Sequence, residues 1–270
     1  MIRCGCGGER MAGTRGRRED IAVDSDPGRL LARIQAATGR LAVTAGTLTD
    51  ARAREPSLLP GWSRGHVLTH IARNADGLGN LLVWARTGVE TPKYPSVQAR
   101  EDGIEAGAHR PAAELAADVR QSAAEFAGEV ARVPATAWDV PVHGLNGPDH
   151  PAWFTLFRRL AEVEIHHADL GAGYGPSDWP SAFVADELER VTGQFAGRDD
   201  VPACVLELAD TGQRVRLGPG PAAAATVAGP GWQLLAWLTG RDDGAALTVS
   251  GGPDPAGGQG GLPPKLPKWS

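Results

Sequence analysis

Four segments of the chain repeat apolar residues at helical spacing, and this repetition limits the possible folds more than any other feature. They cover residues 28–53, 64–86, 111–130 and 149–170. Ser63 is a suitable N-cap for the second segment, and Gly171 and Gly173 are expected to end the fourth. Four amphipathic helices joined by irregular loops predict a helical bundle, a fold that builds metal sites between facing helices.

After Tyr174 the sequence changes character, because prolines interrupt it often and short apolar runs replace long helical ones. A helix from Ser181 to Phe195 is expected first, and it is followed by a hairpin of two short strands at 204–208 and 214–217. A further helix and two further short strands complete a small α/β unit. The predicted fold class is therefore α+β, with a helical bundle followed by a smaller α/β domain.

We divide the chain into four parts on this basis. Residues 1–26, rich in Gly, Arg and Asp, are expected to be a disordered extension. Residues 27–174 are assigned to the bundle and residues 175–252 to the α/β domain, and residues 253–270 form a tail rich in Gly and Pro. Within the bundle, the stretch from Pro92 to Arg110 is expected to be a loop at the mouth of a binding site.

Charge and composition exclude several classes of partner. The 27 Lys+Arg and 32 Asp+Glu residues give a formal charge of -5, and no long basic block offers a face for nucleic acid. We expect neither a signal peptide nor a membrane span, because no stretch approaches the roughly 20 apolar residues that cross a bilayer. The three cysteines are too few for a disulfide framework, and Cys204 is expected to be a buried, inert thiol. A monomer in a reducing cytoplasm is the expected state.

Two histidines and a glutamate in the second and fourth segments have the spacing to hold one divalent metal ion together. Glu162 and His166 are four residues apart, so both project from nearly the same side of a helix. His70 reaches the same ion from the second helix in this interpretation. Three protein ligands leave one coordination position open for water or a thiol, which distinguishes a catalytic zinc site from a structural one.

Helical periodicity alone does not select these ligands. At about 100° per residue, the apolar side of the fourth helix includes His167, whereas Glu162 and His166 lie to one side of it. By this criterion His167 is the better candidate. In the alternative, His167 is a hydrogen-bonded core histidine and the polar residues of this helix form a solvated face, namely Glu162, Glu164, His166 and Asp169.

Several motifs of the chain, in this order, resemble those of the mycothiol-dependent maleylpyruvate isomerases. They are residues 61–74 (GWSRGHVLTHIARN), 84–94 (WARTGVETPKY), 158–171 and 237–241 (WLTGR). The resemblance covers most of the chain beyond residue 28. It implies an N-terminal bundle of the DinB type, here a DinB-like four-helix bundle, followed by a small C-terminal α/β domain.

The resemblance also implies a metal site and a thiol cofactor. The family's metal ligands are a histidine in the second helix and a glutamate and a histidine four apart in the fourth, and these positions match His70, Glu162 and His166. The expected ion is zinc, although His and Glu ligands also suit nickel, cobalt or iron. The expected cofactor is mycothiol, a low-molecular-weight thiol, and the expected substrate is a small molecule.

Three more residues are expected to take part in substrate binding or to support the metal ligands. The family's essential C-terminal arginine matches Arg241, which is expected to bind a substrate carboxylate or a developing oxyanion, the alternative being a helix cap beside Asp242. Arg100 is expected to contact an anionic group of the substrate or cofactor. Asp169 either accepts a hydrogen bond from a ligand imidazole and fixes its tautomer, or is an ordinary polar residue near a helix end.

The implied reaction is the isomerisation of maleylpyruvate to fumarylpyruvate in gentisate breakdown. A metal-activated thiolate adds to the conjugated olefin, the new single bond rotates, and expulsion of the thiolate leaves the trans product. An alternative is a mycothiol S-transferase acting on another electrophilic metabolite, which would leave a stable thioether. A third possibility is a binding module without catalytic activity.

Overall fold

The structure, a computed structural model, describes residues 25–145, 147–219, 225–251 and 261–269. The predicted N-terminal extension therefore lies outside the described residues except for Ser25 and Asp26, and so do Cys4 and Cys6. Much of the predicted Gly/Pro-rich tail lies outside them as well. Among the described residues, no helix is both long and apolar enough to cross a bilayer.

The N-terminal part of the fold is helical. Its helices are α1 (Pro27–Gly46), α2 (Asp50–Arg54), α3 (Arg64–Thr87), α4 (Val97–Ala108), α5 (Ala112–Arg132) and α6 (Phe154–Asp169). Both α1 and α3 pack against α5 and α6, which gives the predicted four-helix bundle with two additional short helices. Because α3 and α6 are neighbours in this bundle, side chains on their facing sides can meet.

Local capping explains where the first long helices begin and end. The Oδ1 atom of Asp26 accepts a hydrogen bond from the backbone N–H of Arg29 at 2.7 Å and caps α1. The prediction of Ser63 as the N-cap of α3 is confirmed, because its Oγ atom accepts from the backbone N–H of His66 at 3.3 Å. The first predicted helix is in fact two, since α1 ends at Gly46 and Thr49 caps the separate helix α2.

Two predictions for the bundle are wrong. The stretch from Pro92 to Arg110 is not only a loop, because most of it forms α4, in which only Ile104 and Ala108 are buried. So few buried positions leave a weak helical signal in the sequence. The helix that carries Glu162 begins at Phe154 rather than near residue 149, because His150–Pro151 (β2) pairs in antiparallel fashion with Pro141–Val142 (β1).

The C-terminal part combines two helices with a small mixed sheet. The elements are α7 (Ser181–Ala196), β3 (Cys204–Leu208), β4 (Arg214–Leu217), β5 (Ala225–Gly229), α8 (Gly231–Leu238) and β6 (Thr248–Ser250). The strand order is β4-β3-β5-β6. The predicted β3–β4 hairpin is confirmed, β5 runs parallel to β3, and β6 runs antiparallel to β5. Helical bundle and mixed sheet together confirm the α+β class.

Two glycines allow other segments to lie directly on α3. A Cβ atom at Gly65 would overlap the carbonyl oxygen of Ala108, at the end of α4. A Cβ atom at Gly77 would lie 2.7 Å from the carbonyl oxygen of Lys93. These close approaches bring α4 and the segment that precedes it against the side of α3 that carries His70.

Candidate metal centre

His70 on α3 and Glu162 and His166 on α6 bring one ligand atom each to a common point. The Nε2 atom of His70 lies 3.1 Å from Oε2 of Glu162, and the Nε2 atom of His166 lies 3.3 Å from the same oxygen. The two imidazole rings meet edge to face, with centroids 4.6 Å apart. Two imidazole nitrogens and one carboxylate oxygen, all within 4.8 Å of one another, form a donor set suited to a divalent ion.

The protonation states of two of these groups suit metal binding. Burial lowers the pKa of His70 to about 4 and outweighs its hydrogen bond to Glu162, so its imidazole is neutral near pH 7. Burial opposes the charged form of Glu162, but hydrogen bonds from His166 and His70 outweigh it and hold the pKa of Glu162 well below its ordinary value. Glu162 is therefore a carboxylate. Neutral imidazole and ionised carboxylate are the forms that coordinate a metal.

His166 differs because it has a second carboxylate partner. Burial alone would lower its pKa, but hydrogen bonds to Asp169 and Glu162 outweigh that effect and raise the pKa of His166. Its Nδ1 atom lies 2.8 Å from Oδ2 of Asp169, whose side chain is 1% exposed. Asp169 thus accepts a hydrogen bond from the Nδ1–H of His166, and this directs Nε2 toward Glu162. The same arrangement orients many metal-binding histidines.

Arg241, which follows α8, completes a chain of contacts that begins at His166. Its Nε atom lies 3.1 Å from Oδ1 of Asp169 and its Nη2 atom lies 2.9 Å from Oδ2. Its Nη1 atom also donates to the carbonyl oxygen of Thr239 at 2.7 Å, which is the cap-like contact of the alternative interpretation. Arg241 therefore both binds the end of α8 and reaches the residue that orients His166.

Arg100 and Lys93 extend the site on the side of α4. The Nη2 atom of Arg100 lies 3.3 Å from Nδ1 of His70, and Nζ of Lys93 lies 3.9 Å from Oε1 of Glu162. Because a guanidinium can only donate, Nδ1 of His70 accepts and its Nε2 carries the proton in this geometry. Lys93 was given no role from the sequence, although it lies within the motif WARTGVETPKY. Its position beside Glu162 is visible only in three dimensions.

His167, the candidate that periodicity favoured, lies outside this cluster. Its Nε2 atom is 2.8 Å from Oγ1 of Thr44 on α1, and its ring stacks on Tyr174 with centroids 3.8 Å apart. His167 is the hydrogen-bonded core histidine of the alternative interpretation. The solvated face proposed with it is wrong, however, because Glu164 and Asp169 are each only 1% exposed.

A second group of possible ligands lies at the surface of the described residues, namely His66, Glu105 and His109. Nε2 of His66 and Nε2 of His109 each lie 3.1 Å from an oxygen of Glu105. The backbone N–H of Ser63 donates to Nδ1 of His66 at 3.2 Å, so Nε2 of His66 carries a proton and donates to Glu105. The Glu105 and His109 side chains are both 68% exposed. We interpret this group as a surface hydrogen-bond cluster. The sequence interpretation gave these histidines no partner, although the i, i+4 spacing of Glu105 and His109 is a signal that could have indicated the cluster.

Cys204 is buried in β3, as predicted. Burial raises the pKa of its thiol to about 11, so the thiolate is scarce near neutral pH. Cys204 is therefore a poor nucleophile.

Two family models and two solved structures match the chain. The mycothiol maleylpyruvate isomerase N-terminal domain matches residues 34–171, and the MDMPI C-terminal domain matches residues 178–259. A crystal structure described as the mycothiol-dependent maleylpyruvate isomerase has 28% sequence identity and a TM-score of 0.81, covering 90% of this chain and 97% of that one. A variant of it with one histidine replaced by alanine gives the same values. No curated protein matches this chain.

Proposed function

We propose, from the premise that this chain belongs to the mycothiol maleylpyruvate isomerase family, that it catalyses the mycothiol-dependent isomerisation of maleylpyruvate to fumarylpyruvate. The observation that carries this proposal is the convergence of His70, Glu162 and His166 on one point between α3 and α6. Its partners are then a small-molecule substrate and a low-molecular-weight thiol. The monomeric state and the cytoplasmic location stay predictions.

We assign His70, Glu162 and His166 as the ligands of a divalent metal, with zinc as the expected ion. The donor set fits, because two neutral imidazoles and one carboxylate leave a divalent ion with net positive charge and one open position. When bound there, such an ion lowers the pKa of a thiol so that the thiolate forms near neutral pH. Cys204 supplies no competing nucleophile, since it is buried in the other part of the fold.

Arg241 is the residue we assign to substrate binding. Three of its five N–H donors contact Asp169 and Thr239, which fixes the plane of the guanidinium. The two remaining donors are free to contact a substrate carboxylate, or the oxygen that gains negative charge when a thiolate adds to the conjugated olefin. Asp169 balances the charge of Arg241 in the absence of substrate and holds the Nδ1 proton of His166.

Arg100 gains a role from the protonation state of His70. If Nε2 of His70 coordinated a metal, the proton of the neutral imidazole would lie on Nδ1. An arginine has no acceptor for the hydrogen bond that Nδ1–H would donate. A metal bound at Nε2 would therefore be incompatible with the Arg100–His70 hydrogen bond, and the guanidinium of Arg100 would be available for another acceptor. We propose that it then contacts an anionic group of the substrate or of the thiol cofactor.

The test is to incubate the zinc-loaded protein with mycothiol and maleylpyruvate and to follow the olefinic protons by NMR. Isomerisation changes the geometry of the olefin and leaves the total free thiol unchanged. A stable thioether with loss of free thiol would instead identify a mycothiol S-transferase. Absence of both reactions in protein with stoichiometric zinc would contradict the proposal and favour a binding module.

A further inference from the structure

A cavity of about 210 Å³ between α6 and α7 adjoins the candidate metal centre. Its lining includes Glu162 and His166 from the centre, together with Arg158, Arg190, Gln194 and Trp269. Arg158 lies one helical turn before Glu162 on the same side of α6. A molecule that occupies this cavity therefore has the metal ligands at one end and an arginine at the other.

Most cations around the centre already have partners. Arg190 donates from Nε to Glu187 at 2.8 Å, and Arg241 is paired with Asp169. Lys93 is beside Glu162. Arg158 forms no hydrogen bond or ion pair with any residue that the structure describes. Its exposed guanidinium thus adds to the lining of the cavity a positive charge that has no direct protein partner.

Gln194 supplies a second set of unused donors. The indole N–H of Trp269 lies 3.1 Å from Oε1 of Gln194. Because an indole N–H can only donate, the amide oxygen of Gln194 must face it, which leaves the amide NH₂ as the free end of the side chain. Within the described ranges, nothing accepts from that NH₂. An exposed guanidinium and an exposed amide, neither of which donates to a protein acceptor among the described residues, therefore line one cavity.

The C-terminal segment holds Trp269 in this position. Nη1 of Arg198 donates to the carbonyl oxygen of Lys268 at 3.0 Å, and the guanidinium carbons of Arg190 and Arg241 lie 5.2 and 5.6 Å from the ring of Trp269. Such cation–π contacts favour a fixed ring. Trp269 lies beyond residue 259, where the match to the C-terminal family model ends. Trp269 therefore forms one wall of the cavity.

We propose that Arg158 and Gln194, with Trp269 as the wall that orients Gln194, form a carboxylate-binding subsite beside the metal centre. The subsite takes one carboxylate of a dicarboxylate, so that the adjoining carbons lie beside Glu162 and His166, which line the same cavity. A carboxylate has the acceptors that these donors lack, and a guanidinium binds it in a two-point geometry. This inference rests on the proposed function, because it specifies how that substrate is held.

The experiment measures binding rather than turnover. Zinc-loaded wild-type protein, Arg158→Gln, Arg158→Lys, Trp269→Phe and the control Arg120→Gln are titrated by calorimetry with maleate and separately with mycothiol, which carries no carboxylate. Arg120 is an exposed arginine on α5 without a partner among the described residues. Hydrogen bonds to charged groups contribute about 1.5–3 kcal/mol, which corresponds to roughly a 10- to 150-fold change in Kd.

We expect Arg158→Gln to weaken maleate binding at least tenfold and to leave zinc content and mycothiol affinity within twofold of wild type. Arg158→Lys should lose less than Arg158→Gln, Trp269→Phe should weaken maleate severalfold, and Arg120→Gln should match wild type. Unchanged maleate binding in Arg158→Gln, or an equal loss of mycothiol affinity, would overturn the subsite. Wild-type protein that binds maleate through Arg158 but isomerises nothing would instead overturn only the proposed function.

Discussion

Arg241 and Asp169 form a two-point ion pair that joins the segment after α8 to the last turn of α6. Nε and Nη2 of Arg241 lie 3.1 and 2.9 Å from the two carboxylate oxygens of Asp169, whose side chain is 1% exposed. The same carboxylate accepts from Nδ1 of His166. The orientation of a proposed metal ligand in the bundle is therefore set in part by a residue from the C-terminal part of the chain.

Replacing Asp169 with Asn should weaken the metal centre without removing a ligand. The change deletes the negative charge that orients His166 and pairs with Arg241, and loss of such supporting contacts typically costs about 10- to 100-fold in metal affinity or activity. Zinc affinity is measured by competition with a chromogenic chelator. Asp149→Asn is the matched control, because Asp149 has an exposed side chain that contacts the half-exposed His143. Wild-type zinc affinity in Asp169→Asn would refute this role.

Replacing His70 with Ala should abolish both stoichiometric zinc and isomerase activity. The variant keeps two of the three donors, but both then come from α6 and the ion loses its contact with α3. Metal content is measured by mass spectrometry after dialysis, and turnover by the NMR assay. His143→Ala, which removes a half-exposed imidazole, should retain both. Full turnover by metal-free His70→Ala protein would refute the ligand assignment.

Alanine at Gly77 and at Gly79 should have opposite effects on stability. At Gly77 the new Cβ would lie 2.7 Å from the carbonyl oxygen of Lys93, and overpacking of this kind costs about 1–3 kcal/mol. At Gly79 no atom lies within 4 Å of the new Cβ, so the variant should gain up to about 1 kcal/mol from helix propensity. Chemical denaturation measures both. Gly77→Ala should also lower activity, because Lys93 lies beside Glu162. Equal stability changes would contradict the close packing at Gly77.

Stability of the metal-free protein should fall on acidification between pH 6.5 and about 4. Burial lowers the pKa of His167 to about 4, and likewise that of His70, from an ordinary value of 6.5. In this window these two imidazoles bind protons in the unfolded chain but not in the folded protein, so their contribution to the free energy of unfolding decreases as the pH falls. The slope is measured by urea denaturation at several pH values.

Replacing His167 with Gln should reduce that slope, because one of the two buried neutral imidazoles is gone. His143→Gln, which replaces a half-exposed imidazole at the surface, is the matched control for the substitution. A slope in His167→Gln equal to that of wild type would show that His167 does not contribute to the acid sensitivity.

Much of the bundle could be predicted from the sequence, because its signals are local. The N-cap at Ser63 and the i, i+4 spacing of Glu162 and His166 depend only on neighbouring residues. Helix α4 could not be predicted in this way, since so little of it is buried. Its omission matters, because α4 carries Arg100 to His70 as part of a helix and not on a loop.

The contacts that support the site depend on residues far apart in the chain. Asp169 and Arg241 are 72 positions apart, and the sequence indicated a role for each without indicating that they bind one another. His166 faces α3 and His167 faces α1, and the choice of ligand between the two histidines depends on this difference. Apolar periodicity describes the average buried direction of a helix and does not separate those two neighbours.

The Arg241–Asp169 pair has a consequence for the modularity of this architecture. A fragment ending near residue 174 contains His70, Glu162 and His166 but lacks the cation that neutralises Asp169. Exchanging the C-terminal unit for one from a distant relative should therefore preserve function only when the incoming segment supplies an arginine after its final helix. The bundle depends on the Arg241 guanidinium of the C-terminal unit. We therefore expect the two units to evolve together rather than independently.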